Sequence, residues 1–211
     1  MILVYDQILD RVKEFNKYKA VYAPEQCKPL IENFKEENLQ SASYDVTISN
    51  TIMKQINNFK TIHTNNKVEI DSLFEEYKIT QGYVLAPEEY ILVKLNEKIN
   101  MPDDLAGHLR SRTTFNKIGL VITSQHVNPS YNGHLQFGLK NTTNSAIEIA
   151  PNVVIGQLVS ERLDDKVRDD ALYRNKVNAK YQGESDFVKS KVYDEKTIKE
   201  VEEIYKKLLN S

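Results

Sequence analysis

The pattern of apolar and polar residues divides the chain into a helical start, a β-rich middle and a charged end. The start carries apolar residues at the spacing of one helix face: Ile8, Leu9, Val12 and Phe15. A second helical segment is predicted at Pro24–Phe34. Between residues 41 and 165, turn clusters separate the apolar segments Tyr90–Leu95, Gly119–Thr123, Leu135–Leu139, Ile147–Ile149 and Val153–Val159. Many short strands at this spacing predict an antiparallel sandwich or barrel.

Two segments stand apart from this β-rich middle. Residues 54–79 form a predicted insertion, with a polar turn at Thr64–Lys67 and a short helix at Ile70–Tyr77. Residues 191–211 are predicted to contain an amphipathic helix whose apolar face carries Ile198, Val201, Ile204, Tyr205 and Leu208. We expect this face to pack on its own domain, as apolar stripes ordinarily do. A contact with another subunit or a partner protein is the alternative.

Composition fits one globular domain at residues 1–190 and narrows its partners. The net charge of -2 shows no basic excess of the kind that nucleic-acid binding favours. Apolar runs are too short to span a bilayer, and acidic residues come too early for a signal peptide. The single cysteine, Cys27, excludes a zinc site built on thiolates, and the four histidines are interpreted as scattered surface or loop residues. We therefore expect a cytoplasmic protein without zinc, nucleic-acid or membrane partners.

Six segments in order along residues 1–190 carry more information together than any one of them alone. They are Met1–Leu3 with Glu37–Asp45, Tyr83–Tyr90 with Met101–Gly107, Ser111–Leu120, Val127–Gly133, Pro151–Val159 and Lys180–Gly183. This set resembles the dCTP deaminase family and, more distantly, the dUTPases. The resemblance implies a mostly β fold, a distorted β-barrel or jelly-roll of the dUTPase type with helices at the N- and C-terminal ends. It also implies a homotrimer whose pockets use pieces of more than one chain.

The same resemblance implies a pyrimidine deoxynucleotide site. Its nucleotide-binding positions are Arg112, Thr113, Thr114, Lys117, Asn128, Tyr131, Gln157, Lys180, Tyr181 and Gln182. A guanidinium followed by two hydroxyls suits triphosphate oxygens. Asp45 is similar to the aspartate that in dUTPases helps to hold a magnesium-bound triphosphate through water, so Mg²⁺ is expected with the nucleotide. Capping of a turn is the alternative role for Asp45.

The chemistry of deamination is where this sequence departs from the family. Attack of water on cytosine C4 needs a group that takes a proton and delivers one to the departing amine. The family uses a glutamate without a metal, and the resemblance places that glutamate at Gly138, which has no side chain to move a proton. Lys117 stands for a supporting arginine, and Asn128 for the aspartate that activates water in dUTPases. Glu184 is the candidate that could replace the missing glutamate. It directly follows Lys180–Gly183, which resembles the start of the family's C-terminal lid, although a solvated glutamate is the commoner case.

These features favour one function over two alternatives. The favoured one is a dCTP deaminase-like protein that binds a pyrimidine deoxynucleotide, with impaired or lost deamination, and acts by binding, sequestration or sensing. The first alternative is an active, zinc-independent dCTP deaminase that produces dUTP and ammonia. The second is a dUTPase-like diphosphatase, which Asn128 weakens. Since a glycine within a strand makes room, we also expect a pocket widened at Gly138 for a bulkier ligand.

Overall fold

The computed structural model describes residues 1–56, 61–63, 72–177, 179–187 and 195–210. In these ranges the α-helices are Tyr5–Lys13, Thr113–Lys117 and Glu195–Leu209, and 3₁₀ turns lie at Phe15–Val21, Pro24–Gln26, Glu36–Asn38, Asp169–Ala171 and Tyr173–Asn175. The strands are β1 (Ile31–Glu32), β2 (Tyr44–Gln55), β3 (Phe74–Lys78), β4 (Tyr83–Leu85), β5 (Tyr90–Leu95), β6 (Lys98–Asn100), β7 (Leu105–Ser111), β8 (Leu120–Ile122), β9 (Gln125–Val127), β10 (Asn132–Gly133), β11 (Gln136–Asn141), β12 (Ile147–Ile149) and β13 (Val154–Arg162).

The main sheet is a curled, barrel-like sheet organised by strand β2. Its first half pairs with β13 and its second half with β5 and β3, so β2 joins the two sides of the order β8-β11-β5-β2-β13-β7-β9. The Ile122 amide near one end donates to the Ser111 hydroxyl on β7, near the other end, at 3.4 Å. This contact brings the two ends of the sheet together. The mostly β, barrel-like fold expected from the sequence is confirmed.

The core lies inside this curl because the strands alternate. On β5 the side chains of Ile91, Val93 and Leu95 are fully buried in one large apolar cluster. The alternation leaves Tyr90 and Leu92 on the opposite face, where they pack against a second, smaller cluster of Met53, Leu73 and Phe74. That outer face of β5 contributes to the functional site.

Two predicted helices are wrong because strand pairing takes their residues. Pro24–Phe34 forms one 3₁₀ turn followed by β1, whose Ile31 pairs with Ile99 of β6. In the insertion, the Thr64–Lys67 turn and the start of Ile70–Tyr77 lie outside the described residues. From Phe74 onward the chain is β3, paired antiparallel with the second half of β2. Tertiary pairing overrides local helical spacing at both places. The strands predicted at Tyr90–Leu95 and Ile147–Ile149 are confirmed.

The C-terminal helix is present at Glu195–Leu209, but its apolar face does not pack as expected. The side chains of Ile204, Tyr205 and Leu208 are 57%, 56% and 65% exposed, so the prediction that this face is covered by its own domain is wrong. Val201 is half-buried, and the side chain of Ile198 lies outside the described part. No helix in the described ranges has the length and apolar character needed to cross a membrane.

Candidate functional site

A cavity of 590 Å³ lies between the outer face of β5, strand β11, the turn at Asn128–Tyr131 and the segment 173–184. This volume is in the range of pockets that hold small molecules. We call residues 125–134, which run from β9 through this turn and β10, the hairpin, and we call the cavity beside them the hairpin cavity. Six residues singled out in the sequence line it: Asn128, Tyr131, Gly138, Lys180, Tyr181 and Glu184.

Residues 179–187, which we call the lid segment, close one side of the cavity by pairing with the hairpin of the same chain. The Gly183 amide donates to the Asn132 carbonyl at 2.7 Å, and the His134 amide donates to the Glu184 carbonyl at 2.7 Å. A Cβ on Gly133 would lie 2.9 Å from the Glu184 backbone nitrogen and 3.1 Å from its carbonyl oxygen. Glycine at 133 is therefore what lets the lid segment approach so closely.

Gln182 fastens the lid segment. Its amide group donates to the Ser130 carbonyl at 3.0 Å and accepts from the Asn132 amide at 3.2 Å. In the described structure its side chain does not line the hairpin cavity. Gln182 thus positions the lid segment, whereas the sequence had indicated a direct contact with the nucleotide.

The lid side of the cavity holds a buried polar group without a partner. The Tyr131 side chain is 5% exposed, and its hydroxyl has no hydrogen-bond partner within the described ranges. Burial raises the pKa of Tyr131, so its phenol stays protonated at neutral pH. The neighbouring Glu184 is 6% exposed, which makes it a buried carboxylate at this wall. An unpaired buried hydroxyl is costly, and a bound ligand would satisfy it.

The floor of the cavity differs from the expectation for Gly138. An added Cβ on Gly138 would overlap the phenol ring and hydroxyl of Tyr90, which covers this glycine. The interpretation that Gly138 widens the pocket is therefore wrong, because Tyr90 from β5 fills the space. Phe74 of β3 supports Tyr90, with ring centroids 6.4 Å apart and a 55° tilt. Burial raises the pKa of Tyr90, so this floor is uncharged.

His126 adds a titratable group to the wall of the cavity. It lies on β9 opposite His108 of β7, with ring centroids 5.0 Å apart. Burial and the neighbouring His108 together lower the pKa of His126, so its imidazole is neutral at pH 7. The interpretation of the histidines as surface or loop residues holds for His126, which is exposed, but the two are not scattered, since they lie side by side on neighbouring strands.

Three further predicted residues, Asp45, Arg112 and Gln157, form a second group with Gln40, which the sequence had not indicated; we call this group the Asp45 cluster. Asp45 on β2 is 4% exposed and pairs across the sheet with Gln157 of β13, whose side-chain amide donates to it at 3.1 Å. The Arg112 guanidinium lies 3.5 Å from its other oxygen, and Gln40 donates to that oxygen at 3.3 Å. None of these described residues lines the hairpin cavity.

The short helix after Arg112 presents the other predicted phosphate-binding residues. Thr113, Thr114 and Lys117 are exposed on it and, among the residues described, do not line the hairpin cavity either. One chain thus places the predicted site in two separate groups. One group lies at the hairpin cavity, and the other lies at the Asp45 cluster and the short helix that follows Arg112.

The expected Mg²⁺ finds no direct ligand cage in the described structure. No group of three or more His, Cys, Asp or Glu side chains there is placed to hold a metal ion. Asp45 already accepts hydrogen bonds from two amides and faces a guanidinium. These donors suit an ion pair better than direct coordination of a hard cation, which prefers several oxygen ligands.

Comparison with known proteins identifies the family. Residues 18–163 match the model of the dCTP deaminase-like family. A "dCTP deaminase, dUMP-forming" of Rhodococcus opacus is 30% identical over 167 residues, covering 77% of this chain and 87% of the relative, and one of Corynebacterium glutamicum gives the same values. The chain belongs to the dCTP deaminase-like family.

The fold comparison agrees with this assignment. The crystal structure of 2'-deoxycytidine 5'-triphosphate deaminase from Agrobacterium tumefaciens superposes with a TM-score of 0.53 at 14% identity. The match covers 75% of this chain and 46% of that one. At this level of identity, the likeness concerns the fold alone.

Proposed function

We propose that the protein binds a pyrimidine deoxynucleotide in the hairpin cavity without deaminating it efficiently, and acts by sequestration or sensing. The observation that carries this proposal is the floor of the cavity. At Gly138, where the resemblance places the family's glutamate, the chain has no carboxylate, and the space is filled by the neutral phenol of Tyr90. A neutral phenol with a raised pKa is a poor general base at pH 7.

The division of the site into two groups supports a homotrimer as the binding form. The hairpin cavity offers aromatic and hydroxyl groups for a base and sugar, whereas Arg112, Thr113 and Thr114 lie outside it. In a symmetric ring, the Asp45 cluster of one chain would meet the hairpin cavity of the next. A triphosphate bound there would bring its own Mg²⁺, with Asp45 contacting the ion through water. Arg112 is 37% exposed in its side chain, so it is accessible to a phosphate.

An active dCTP deaminase is the second candidate, and Glu184 is the observation that favours it. Its side chain is buried at the wall of the hairpin cavity, next to Tyr131. In that case Glu184 would take a proton from water as the oxygen attacks C4 and deliver it to the departing amine, so that dCTP and water give dUTP and NH₃. The relatives named above are dUMP-forming, so dUMP is a further product to assay. For dUTPase-like hydrolysis, Asn128 at the cavity offers an amide in place of a carboxylate.

Three measurements on the purified protein test these proposals. Calorimetric titration with dCTP and Mg²⁺ should show binding, and an assay of ammonia and dUMP over hours should show little or none. Turnover that Glu184→Gln abolishes would establish the second candidate and overturn the first. Absence of any binding of dCTP or dUTP would overturn both. Sedimentation at binding concentrations should give the mass of a trimer.

A further inference from the structure

We infer that Tyr90 is the residue that contacts the base, and that its phenol makes the pocket accept cytosine and uracil nucleotides alike. This inference rests on the proposed nucleotide-binding function and adds the ligand class. Two observations carry it. The Tyr90 ring fills the space that a side chain on Gly138 would need, which we call the interlock, and Phe74 from the predicted insertion packs against the Tyr90 ring.

The interlock is specific to these two residues. Gly138 has no positive φ, so its backbone would accept any side chain. The three nearest atoms that a Cβ on Gly138 would meet all belong to the Tyr90 side chain. The Gly138 amide donates to the Thr123 hydroxyl at 2.7 Å, which fixes the backbone of β11 at this point. Any side chain at position 138 would therefore displace Tyr90 from its observed position.

The support of Tyr90 comes from residues 54–79, which none of the six resembling segments includes. Phe74 begins β3, which the insertion adds to the edge of β2, and its ring packs on Tyr90. Both rings also line the hairpin cavity. The insertion thus builds an aromatic wall where the family resemblance would place a carboxylate.

The chemistry of a phenol defines what this wall recognises. An ionised carboxylate only accepts hydrogen bonds, whereas a hydroxyl both donates and accepts. The Tyr90 hydroxyl can therefore accept from the amino group of cytosine or donate to the carbonyl oxygen of uracil. Its ring offers the same apolar surface to either base. We expect the dissociation constants of dCTP and dUTP to lie within about threefold of each other, a difference smaller than one neutral hydrogen bond contributes.

The first experiment tests the interlock without any ligand. Gly138→Ala should lower the melting temperature by roughly 3–10 °C through overpacking. In a Tyr90→Ala background the same change should cost little, because the blocking ring is gone. Gly82→Ala is the matched control, since a Cβ there meets the end of the Glu148 side chain, which is exposed and able to move. Additive losses in the double variant would overturn the interlock.

The second experiment tests the contact with the base. Tyr90→Phe keeps the packing and removes the hydroxyl, so dCTP and dUTP should each bind about 3–10-fold more weakly. Inorganic tripolyphosphate, which has no base, should bind Tyr90→Phe as it binds the unaltered protein. A purely structural role for Tyr90 would weaken all three ligands together and would overturn the inference. Nucleotide binding that Tyr90→Phe and Tyr90→Ala both retain would overturn the inference and leave the proposed function standing. No nucleotide binding by the unaltered protein would overturn both.

Discussion

The hairpin cavity and the Asp45 cluster are held together by different forces. The cavity is positioned by backbone hydrogen bonds, in which Gly183 and His134 pair the lid segment with the hairpin of the same chain. In the Asp45 cluster, the pairing of β2 with β13 sets Asp45 beside Gln157, and side-chain contacts to the shared carboxylate hold Arg112 and Gln40. The first arrangement is built by the main chain, whereas the Arg112 contact of the second can be exchanged for another partner without breaking the sheet. Under the proposed function, recognition of the base would be built into one chain, and recognition of phosphate would depend on what meets Arg112.

The geometry of the ion pair indicates how easily Arg112 would change partners. Its nearest approach to Asp45 is 3.5 Å, and its side chain is 37% exposed. The Asp45 side chain is buried, but the Arg112 guanidinium is partly open to solvent, and at 3.5 Å the contact between them is long. A phosphate oxygen that binds the guanidinium in bidentate fashion gives a stronger, charge-assisted contact. The Asp45 cluster therefore holds Arg112 in place without competing strongly with a triphosphate.

Arg112→Ala should have the largest effect on binding. Loss of a charge-assisted contact should weaken dCTP binding by about 10–100-fold. Deoxycytidine, which has no phosphate, should bind Arg112→Ala as it binds the unaltered protein. Calorimetric titration of both ligands measures the two affinities. Arg168→Ala is the control, because the Arg168 side chain is 81% exposed and pairs only with nearby Asp170 among the described residues.

An equal loss for deoxycytidine would contradict the division of the site between phosphate and base. Mixed assemblies add a test of the trimer. When Arg112→Ala chains are mixed with chains carrying a defective cavity, roughly a quarter of the sites in random trimers would combine an intact cavity with an intact Arg112. If binding stays at the level of the separate variants, the two groups belong to the same chain.

Gly133→Ala should have the next largest effect, because it disturbs the close approach of the lid segment. The added Cβ would meet backbone atoms of Glu184 that cannot move aside without breaking the pairing. We expect about a tenfold loss of dCTP affinity, corresponding to one or two lost hydrogen bonds, and faster tryptic cleavage after Lys180. Gly183→Ala is the control for backbone strain, since its φ is +69° and a Cβ there meets nothing within 4 Å. Unchanged proteolysis of Gly133→Ala would show that the lid segment tolerates the change.

Gln182→Ala should have a smaller effect of the same kind. It removes the two side-chain hydrogen bonds that fasten the lid segment to Ser130 and Asn132, but leaves the backbone pairing in place. We expect dCTP affinity to fall about fivefold, within the contribution of one neutral hydrogen bond. The exposed Gln81→Ala is the matched control. A loss as large as that of Arg112→Ala would instead indicate that Gln182 contacts the nucleotide directly.

The sequence predicted what depends on neighbouring residues, and missed what depends on distant ones. Short apolar segments between turn clusters identified β5 and β12, and the segment Leu135–Leu139 is buried at its apolar positions Leu135, Phe137 and Leu139. The interlock of Tyr90 with Gly138 was missed because it joins two strands that are far apart in sequence. One signal was present: Tyr90 alternates with the core residue Ile91, which places it on the outer face of the same strand.

Other parts of the site had weaker signals in the sequence. Phe74 lies in the insertion, where helical spacing concealed a strand that forms only by pairing with β2. The separation of the Asp45 cluster from the hairpin cavity was implied only by the resemblance to a trimeric family. A local sequence pattern does not show whether a neighbouring chain contributes residues to a pocket, because that depends on contacts between the surfaces of two chains. The exposed apolar face of the C-terminal helix was missed for the same reason, since amphipathic spacing does not say what covers it.

The smallest predicted effect is a dependence of stability on pH at the wall of the hairpin cavity. The pKa of His126 is lowered below its ordinary value of 6.5, first by burial and then by His108. Between the lowered value and 6.5 the unfolded chain binds more protons than the folded one, so stability rises with pH through this window and falls on acidification. His126→Asn should flatten the melting temperature measured between pH 5 and pH 7.5, and only slightly, because the His126 side chain is exposed to solvent. An unchanged slope in His126→Asn would mean that the cavity wall does not control this titration.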